Sequence, residues 1–149
     1  MMPWTIAHLL TLLAFASASQ AQQAPLPAVE LYAGMHRIEA ELAATAEARQ
    51  FGLMLRNQMA SHRGMLFVFP ERATHCMWMR NTLLPLSVAF VDDEGRIVNI
   101  EDMQPRTEDN HCAQRPVRFA LEMNQGWFRS RGIGAGYRIT GLEKLAPSR

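Results

Sequence analysis

Two short clusters of residues that can bind metals or form a disulfide stand far apart in the chain. They are His75 and Cys76 with Met77 and Met79, and, later, His111 with Cys112. Two Cys and two His suit zinc, whereas Cys, His and Met together suit copper. Neighbouring strand residues point to opposite faces, however, and the spacing lacks the C-x-x-C and H-x-x-x-H patterns of strong metal motifs. A copper- or zinc-handling protein therefore stays an alternative, and we predict no metal and no cofactor.

A second group combines an aromatic face, a guanidinium, an amide and a hydroxyl within five residues. It consists of Trp78, Arg80, Asn81 and Thr82. Pro85 follows closely, so we expect the group at a strand end, where binding sites often lie beside loops. The sequence therefore predicts a ligand surface here. The structural alternative is a buried Trp78, with Asn81 and Thr82 satisfying the backbone of a turn.

Two acids, Asp102 and Glu122, are candidates to join this ligand surface if the strands bring their polar ends into one cleft. Acid spacing alone specifies neither paired carboxylates for glycoside chemistry nor a calcium site. Glu122 shares a strand face with Arg118, so a surface ion pair is the simpler interpretation. A pocket holding an acid of strongly shifted pKa near Asn81 would instead favour an enzyme.

The amino-terminal segment predicts export. Residues 1–21 carry no Asp, Glu, Lys or Arg, and a short apolar run over residues 6–15 precedes small residues with possible cleavage sites after Ala18 and Ala21. We therefore predict a signal peptide at residues 1–21, a Pro-containing linker at 22–28 and one domain at 29–149, in the periplasm or secreted. An uncleaved interfacial anchor is the alternative. No later run is long enough to span a bilayer, so no stable membrane insertion is expected after cleavage.

The predicted export affects how the two cysteines are interpreted. Cys76 and Cys112 are an even pair, and in an oxidising environment they can bridge only with each other. We predict a Cys76–Cys112 disulfide. Closing a loop between cysteines 36 positions apart stabilises a domain by about 3 to 4 kcal/mol in the chain-entropy model.

The elements between these groups are mostly strands. Period-two patterns or apolar runs predict strands near residues 35–42, 65–69, 76–79, 86–91, 96–103, 117–123 and 137–142. A short helix is predicted within residues 43–55, capped by Thr45, and another after Asn124 that ends at Gly132. Gly95 completes the turn of a hairpin. The pattern favours a mainly β domain, a small antiparallel β-sandwich or open barrel with one or two short helices.

Charge excludes some partners. The formal net charge is +1, which supplies no broad field for nucleic acid, so no nucleic-acid partner is predicted. Fourteen of the fifteen basic residues are Arg, a bias that suits bidentate anion contacts but arises more often from codon usage. The expected partner is an unidentified ligand or an envelope protein.

Several blocks, in order and spacing, resemble the DUF192 family. They are Gly52-Leu53-Met54, residues 64–69, residues 78–82 with Pro85-Leu86, residues 93–98, and Leu121-Glu122 with Gly126-Trp127. The resemblance covers about residues 36–142. It implies a compact, mainly β domain, often exported, with no assigned function and hence no catalytic residues to transfer. Many relatives carry Asp after the Pro-Leu pair, whereas this chain has Ser87, so any role of that acid is absent here.

These observations predict a binding or accessory module rather than an enzyme. Its ligand surface is placed at Trp78, Arg80, Asn81 and Thr82, with Asp102 and Glu122 as contributing acids. The residues specify no established catalytic motif, which favours binding over catalysis. An exported enzyme of unknown reaction is the main alternative.

Overall fold

The computed structural model describes residues 26–145, and the predicted signal peptide lies outside them. This part of the chain contains nine strands, one α-helix and two 3-10 helices. The strands are β1 (Ala28–Ala33), β2 (His36–Ala43), β3 (Arg63–Ala73), β4 (Cys76–Met77), β5 (Leu86–Val91), β6 (Ile97–Met103), β7 (His111–Cys112), β8 (Val117–Asn124) and β9 (Ile139–Thr140). The helix α1 spans Ala46–Phe51, and the 3-10 helices span Arg129–Arg131 and Leu142–Lys144. None of these helices is long and apolar enough to cross a bilayer.

Seven strands form one curled sheet in the order β6-β5-β8-β3-β2-β1-β9. All neighbours are antiparallel except β2 and β3, which run parallel because α1 lies in the connection between them. Backbone hydrogen bonds from Ile97 to Tyr137 (2.9 Å) and from Ile139 to Gly95 (2.7 Å) draw the two ends of the sheet together. The predicted mainly β fold is confirmed, as a half-barrel rather than a sandwich. Strands β4 and β7 form a separate two-stranded sheet.

Each face of the curled sheet packs against its own hydrophobic cluster. On one face, here called the Trp127 face, Leu66 and Leu121 pack with Trp127 and other residues of the carboxyl-terminal third. On the other, called the α1 face, the cluster includes residues of α1 and of the small sheet. Its strand members include Met65, Val88, Phe90 and Ala120. Because strand residues alternate between faces, both faces of the central strands β5 and β8 are largely buried, and Phe119, Leu121 and Met123 share one face of β8 as predicted.

Local signals explain several element boundaries. Thr45 caps α1 as predicted, its Oγ1 accepting a hydrogen bond from the Ala48 N–H at 3.1 Å. Gly95 has φ +80° in the hairpin turn, and Gly132 ends the 3-10 helix in the left-handed region. Strand β3 extends past the predicted run of residues 65–69 and includes Pro70. The strand continues to Ala73, because a register shift frees this stretch from the ladder where proline would lose a hydrogen bond.

The first strand begins next to the predicted domain start at residue 29. Ala28, placed in the linker, is the first residue of β1, and the carbonyl of Pro27 accepts a hydrogen bond from the Leu42 N–H at 2.8 Å. The strand predicted at residues 76–79 is shorter, since only Cys76 and Met77 pair with β7.

Candidate functional site

The small sheet is closed by a disulfide between Cys76 and Cys112, which face each other across β4 and β7. This agrees with the predicted bridge. Asn99 of β6 holds the same sheet in place: its Nδ2 donates to the Cys112 carbonyl at 3.1 Å, and its Oδ1 accepts from the Gln114 N–H at 3.0 Å. The disulfide and the Asn99 hydrogen bonds therefore both hold the small sheet in place.

The residues of the alternative metal site are committed to other contacts. Both sulfurs are bonded to each other, and Met77 and Met79 are buried in the cluster of the α1 face. His75 stacks on Phe69 with ring centroids 3.7 Å apart, while His111 lies opposite Met77 in the ladder. Within residues 26–145 no group of three or more His, Cys, Asp and Glu side chains gathers around a point that could hold an ion.

The predicted ligand surface is a compact turn after β4. Arg80 lies over the Trp78 ring, with its Cζ 4.4 Å from the ring centroid, and its Nε donates to Glu108 at 2.6 Å. Thr82 is buried; its N–H donates to the Met79 carbonyl at 3.1 Å and its Oγ1 to the Arg80 carbonyl at 3.2 Å. Thr82 thus plays the turn-satisfying role of the structural alternative.

Asn81 sits at the apex of this turn in the left-handed region, with φ +52°. Its side chain is exposed, and its carbonyl accepts a hydrogen bond from the Leu55 N–H at 2.9 Å. Asn tolerates this conformation better than most residues because of its short polar side chain. The residue therefore contributes to the turn through its backbone, and the structure gives no hydrogen bond from its amide within residues 26–145.

We expect Asn81→Ala to lower the free energy of unfolding by about 1 kcal/mol, since alanine is strained at positive φ. Asn81→Gly should stay within about 0.5 kcal/mol of wild type, because glycine adopts this conformation freely. Urea denaturation of both variants measures the difference. Equal losses in the two would show that the side chain, and not the backbone conformation, matters.

Glu122 lies at the middle of the curled sheet, between Val88 of β5 and Met65 of β3. Its residue surface is only 3% exposed, and it lines a narrow cleft of about 20 Å³. Trp78 and Thr82 also line this cleft. Residues 49–54, which are the end of α1 and the turn after it, complete much of the lining. The structure thus brings three of the six predicted ligand residues together.

Among the described residues, no charged side chain pairs with the Glu122 carboxyl. Burial raises its pKa to about 8, because the ionised form would lose its hydration. Arg49 also lines the cleft, but one of its nitrogens donates to the backbone carbonyls of Ala44 (2.7 Å) and Val68 (2.9 Å). No side-chain hydrogen bond to Glu122 is found within the described chain. At neutral pH the group is consequently a protonated acid, able to donate one hydrogen bond and to accept others.

The interpretation of Glu122 as a surface acid paired with Arg118 is wrong. Both lie on β8, but Arg118 is near the start of the strand, where its Nε is 3.6 Å from Asp93 of the hairpin turn. Glu122 is farther along, where neighbouring strands and the α1 segment cover it. Residues on the same face of one strand can therefore differ in how deeply they are buried.

Asp102 does not join this cleft. Ser87 and Val88 are consecutive in β5 and so point to opposite faces; Ser87 pairs with Asp102, whereas Val88 pairs with Glu122. The two acids consequently lie on opposite faces of the sheet. Arg80 and Asn81 stay on the exterior of the turn, so the predicted set of six divides into a cleft, an exposed turn and a separate groove.

The groove around Asp102 has a volume of about 270 Å³. Ser87 donates to Asp102 Oδ1 at 2.6 Å and accepts from the Gly126 N–H at 2.9 Å, while Arg129 donates to Asp102 Oδ2. The Ser87 hydrogen bond, with help from Arg129, lowers the pKa of Asp102. This carboxylate stays ionised and is a weak base, so Ser87 lacks the activation that a nucleophile needs.

Sequence reasoning missed the part of the cleft lining that residues 49–54 contribute. The Gly52-Leu53-Met54 block was a signal, because it belonged to the family resemblance without a predicted role. Gly52 has φ +52°, and a Cβ there would stand 3.2 Å from Phe67 Cζ, so the turn packs tightly against the sheet. Ser87 was noted only as a departure from the family pattern, although it organises the second groove.

Comparison with known proteins places this half-barrel in a family. The model of DUF192, described as "Uncharacterized ACR", matches residues 29–141, and the chain belongs to that family. A solved structure from Sinorhizobium meliloti 1021, provisionally assigned as a transcription regulator, is 38% identical with TM-score 0.72, covering 78% of this chain and 93% of that one. A protein of unknown function from Novosphingobium aromaticivorans DSM 12444 is 32% identical with TM-score 0.73, covering 76% and 85%. No curated protein matches.

Proposed function

We propose that this protein is a binding module whose cleft accepts the uncharged polar end of a ligand. The observation that carries the proposal is the buried Glu122 side chain, which lines a cleft together with Trp78 and Thr82 and whose pKa burial raises to about 8. Within the described residues the Glu122 carboxyl makes no side-chain hydrogen bond, so a ligand that supplies one in this sheltered place gains affinity.

Size and charge limit the ligand group. A cavity of about 20 Å³ holds one group comparable to a water molecule. A hydroxyl or a carboxamide fits this description and can exchange hydrogen bonds with a neutral carboxyl. A carboxylate would have to leave water without meeting a positive charge, because Arg49 is engaged by backbone carbonyls. The apolar side chains of Leu53, Phe67 and Met77 around the cleft would contact the carbon atoms next to that group.

An enzyme is the second candidate, and one observation favours it. An acid with pKa about 8 is suited to general acid–base catalysis near neutral pH. Two features favour binding instead. The cleft is too narrow for a substrate and a water together, and Glu122 is the one acid among the described residues that line it. Catalysis by a pair of carboxyl groups would need a second acid, and the described residues that line the cleft include none besides Glu122.

The place of action belongs to the same proposal. We infer export to the periplasm or the medium from the signal pattern of residues 1–21, and the disulfide is consistent with an oxidising compartment. An envelope protein remains the proposed macromolecular partner. The Sinorhizobium protein is provisionally assigned as a transcription regulator. The formal net charge of this chain is only +1, which supplies no broad positive field for binding nucleic acid.

The test uses two probes of the same shape, acetamide and acetate, observed by NMR at the Trp78 indole and the Leu53 methyls. At about pH 6, acetamide should give saturable shifts at both positions while acetate gives none. Above about pH 9 the acetamide shifts should weaken about tenfold or more, because the Glu122 carboxyl is then ionised.

Glu122→Leu, which removes the polar group, should abolish the acetamide shifts. Glu101→Gln is the matched control, because Glu101 flanks Val88 from the other side and does not line the cleft. Equal responses to acetamide and acetate, or no response confined to the cleft, would overturn the proposal.

A further inference from the structure

A third cavity, of about 190 Å³, opens on the Trp127 face and is lined mainly by His and Arg side chains. Three separate chain segments contribute to it: His36 and Arg37 at the start of β2, Ser61 and His62 before β3, and Arg131 after β8. The described residues that line it include no acid. Its place on the opposite face makes it independent of the Glu122 cleft.

Arg131 is held in position by its neighbours. Its Nη1 donates to the Trp127 carbonyl at 3.0 Å and to Ser130 Oγ at 3.1 Å, and its Cζ lies 4.3 Å from the Trp127 ring centroid. Within residues 26–145 it forms no ion pair, and its Nε and Nη2 make no hydrogen bond. A fixed guanidinium with two free donor positions loses little entropy when it binds an anion.

The other basic side chains that line the cavity are only partly paired with acidic side chains. Arg37 is paired with Glu30 at 2.5 Å, and His62 Nε2 stands 4.0 Å from Glu39, which is more closely bound by Arg63. His36 instead meets Trp127 edge-on, with ring centroids 6.1 Å apart. Positive charge therefore exceeds negative charge around the cavity.

We propose that this cavity, called the Arg131 pocket, binds a tetrahedral oxyanion of the phosphate type. Donors converge from three segments, which suits an anion with oxygens in several directions better than a planar carboxylate. The volume is below the usual range for a whole drug-sized ligand, so the pocket takes one phosphate-sized group, free or at the end of an ester. This group would occupy the two free donor positions of Arg131.

Sulfate is the main probe, because it is a tetrahedral dianion at neutral pH. NMR titration should show saturable shifts at the Trp127 indole and the Arg131 side chain. Phosphate and methyl phosphate, compared at one pH, distinguish a free ion from an ester as the source. Acetate should bind about tenfold more weakly than sulfate.

Arg131→Gln should weaken sulfate binding about tenfold or more, and His62→Gln should weaken it by a smaller factor, because it removes one of the lining donors. Arg129→Gln is the matched control: it changes the net charge equally from the same 3-10 helix, but Arg129 pairs with Asp102 in the other groove. His62 is exposed, so its variant keeps the test valid even if Arg131→Gln fails to fold. Equal losses from Arg129→Gln and Arg131→Gln, or the absence of saturable shifts, would overturn the proposal.

Discussion

Glu122→Gln is expected to make the protein more stable than wild type in mildly alkaline solution. The raised pKa means that the folded state holds the Glu122 proton more tightly than the unfolded chain does. The stabilisation is complete below the unfolded value of 4.5 and is lost as the pH rises through about 8. Wild type should therefore lose on the order of 4 kcal/mol of unfolding free energy across this window.

The variant should remove most of that slope, because glutamine fills the cleft without ionising. Urea denaturation at several pH values between about 5 and 9 measures both profiles. Asp102, Glu30 and Glu143 have lowered pKa values, so their contributions are lost in acid, outside this window. Parallel profiles for wild type and Glu122→Gln would contradict the account, whereas Glu101→Gln should follow wild type.

Replacing both cysteines with serine is expected to lower the free energy of unfolding by about 3 to 4 kcal/mol. The bridge closes a loop between residues separated by 36 positions, and its removal returns that entropy to the unfolded chain. The folded protein is affected as well, because Met77 and Trp78, which directly follow Cys76, contribute to the cleft. Denaturation midpoints with and without reductant provide the measurement.

The double variant supplies its own control, since a reductant should lower the midpoint of wild type and leave that of the variant unchanged. Asn99 and the hydrogen bonds of the small sheet remain in the variant, so a folded state with a weakened cleft wall is expected. Two reactive thiols in unreduced, denatured wild type, with a midpoint insensitive to reductant, would contradict the bridge.

Local and compositional signals predicted much of the fold. Thr45 is followed by good helix formers, Gly95 stands at a turn that needs positive φ, and the period of two in β2 matches its pairing. The cysteine pair was predictable because only one partner was available to each sulfur. These features depend on residues close in sequence or on a count, so tertiary packing did not need to be known.

The depth of Glu122 could not be predicted in this way. Alternation places Arg118 and Glu122 on one face of β8, but whether that face is covered depends on α1 and on the segment after Cys76. Asp102 illustrates a related limit. Shifting the register by one residue moves a side chain to the other face, and sequence spacing did not fix how β5 aligns with β6 and β8.

Carbon-13 NMR titration of the Glu122 side-chain carboxyl tests the central claim most directly. The resonance is assigned by its loss in Glu122→Gln and followed between about pH 3 and pH 10 in the folded protein. The account predicts a midpoint near 8, with the protonated form dominant at neutral pH. A midpoint near the ordinary value of 4.5 would show that Glu122 is ionised under working conditions, and the proposed recognition of an uncharged ligand group would then be wrong.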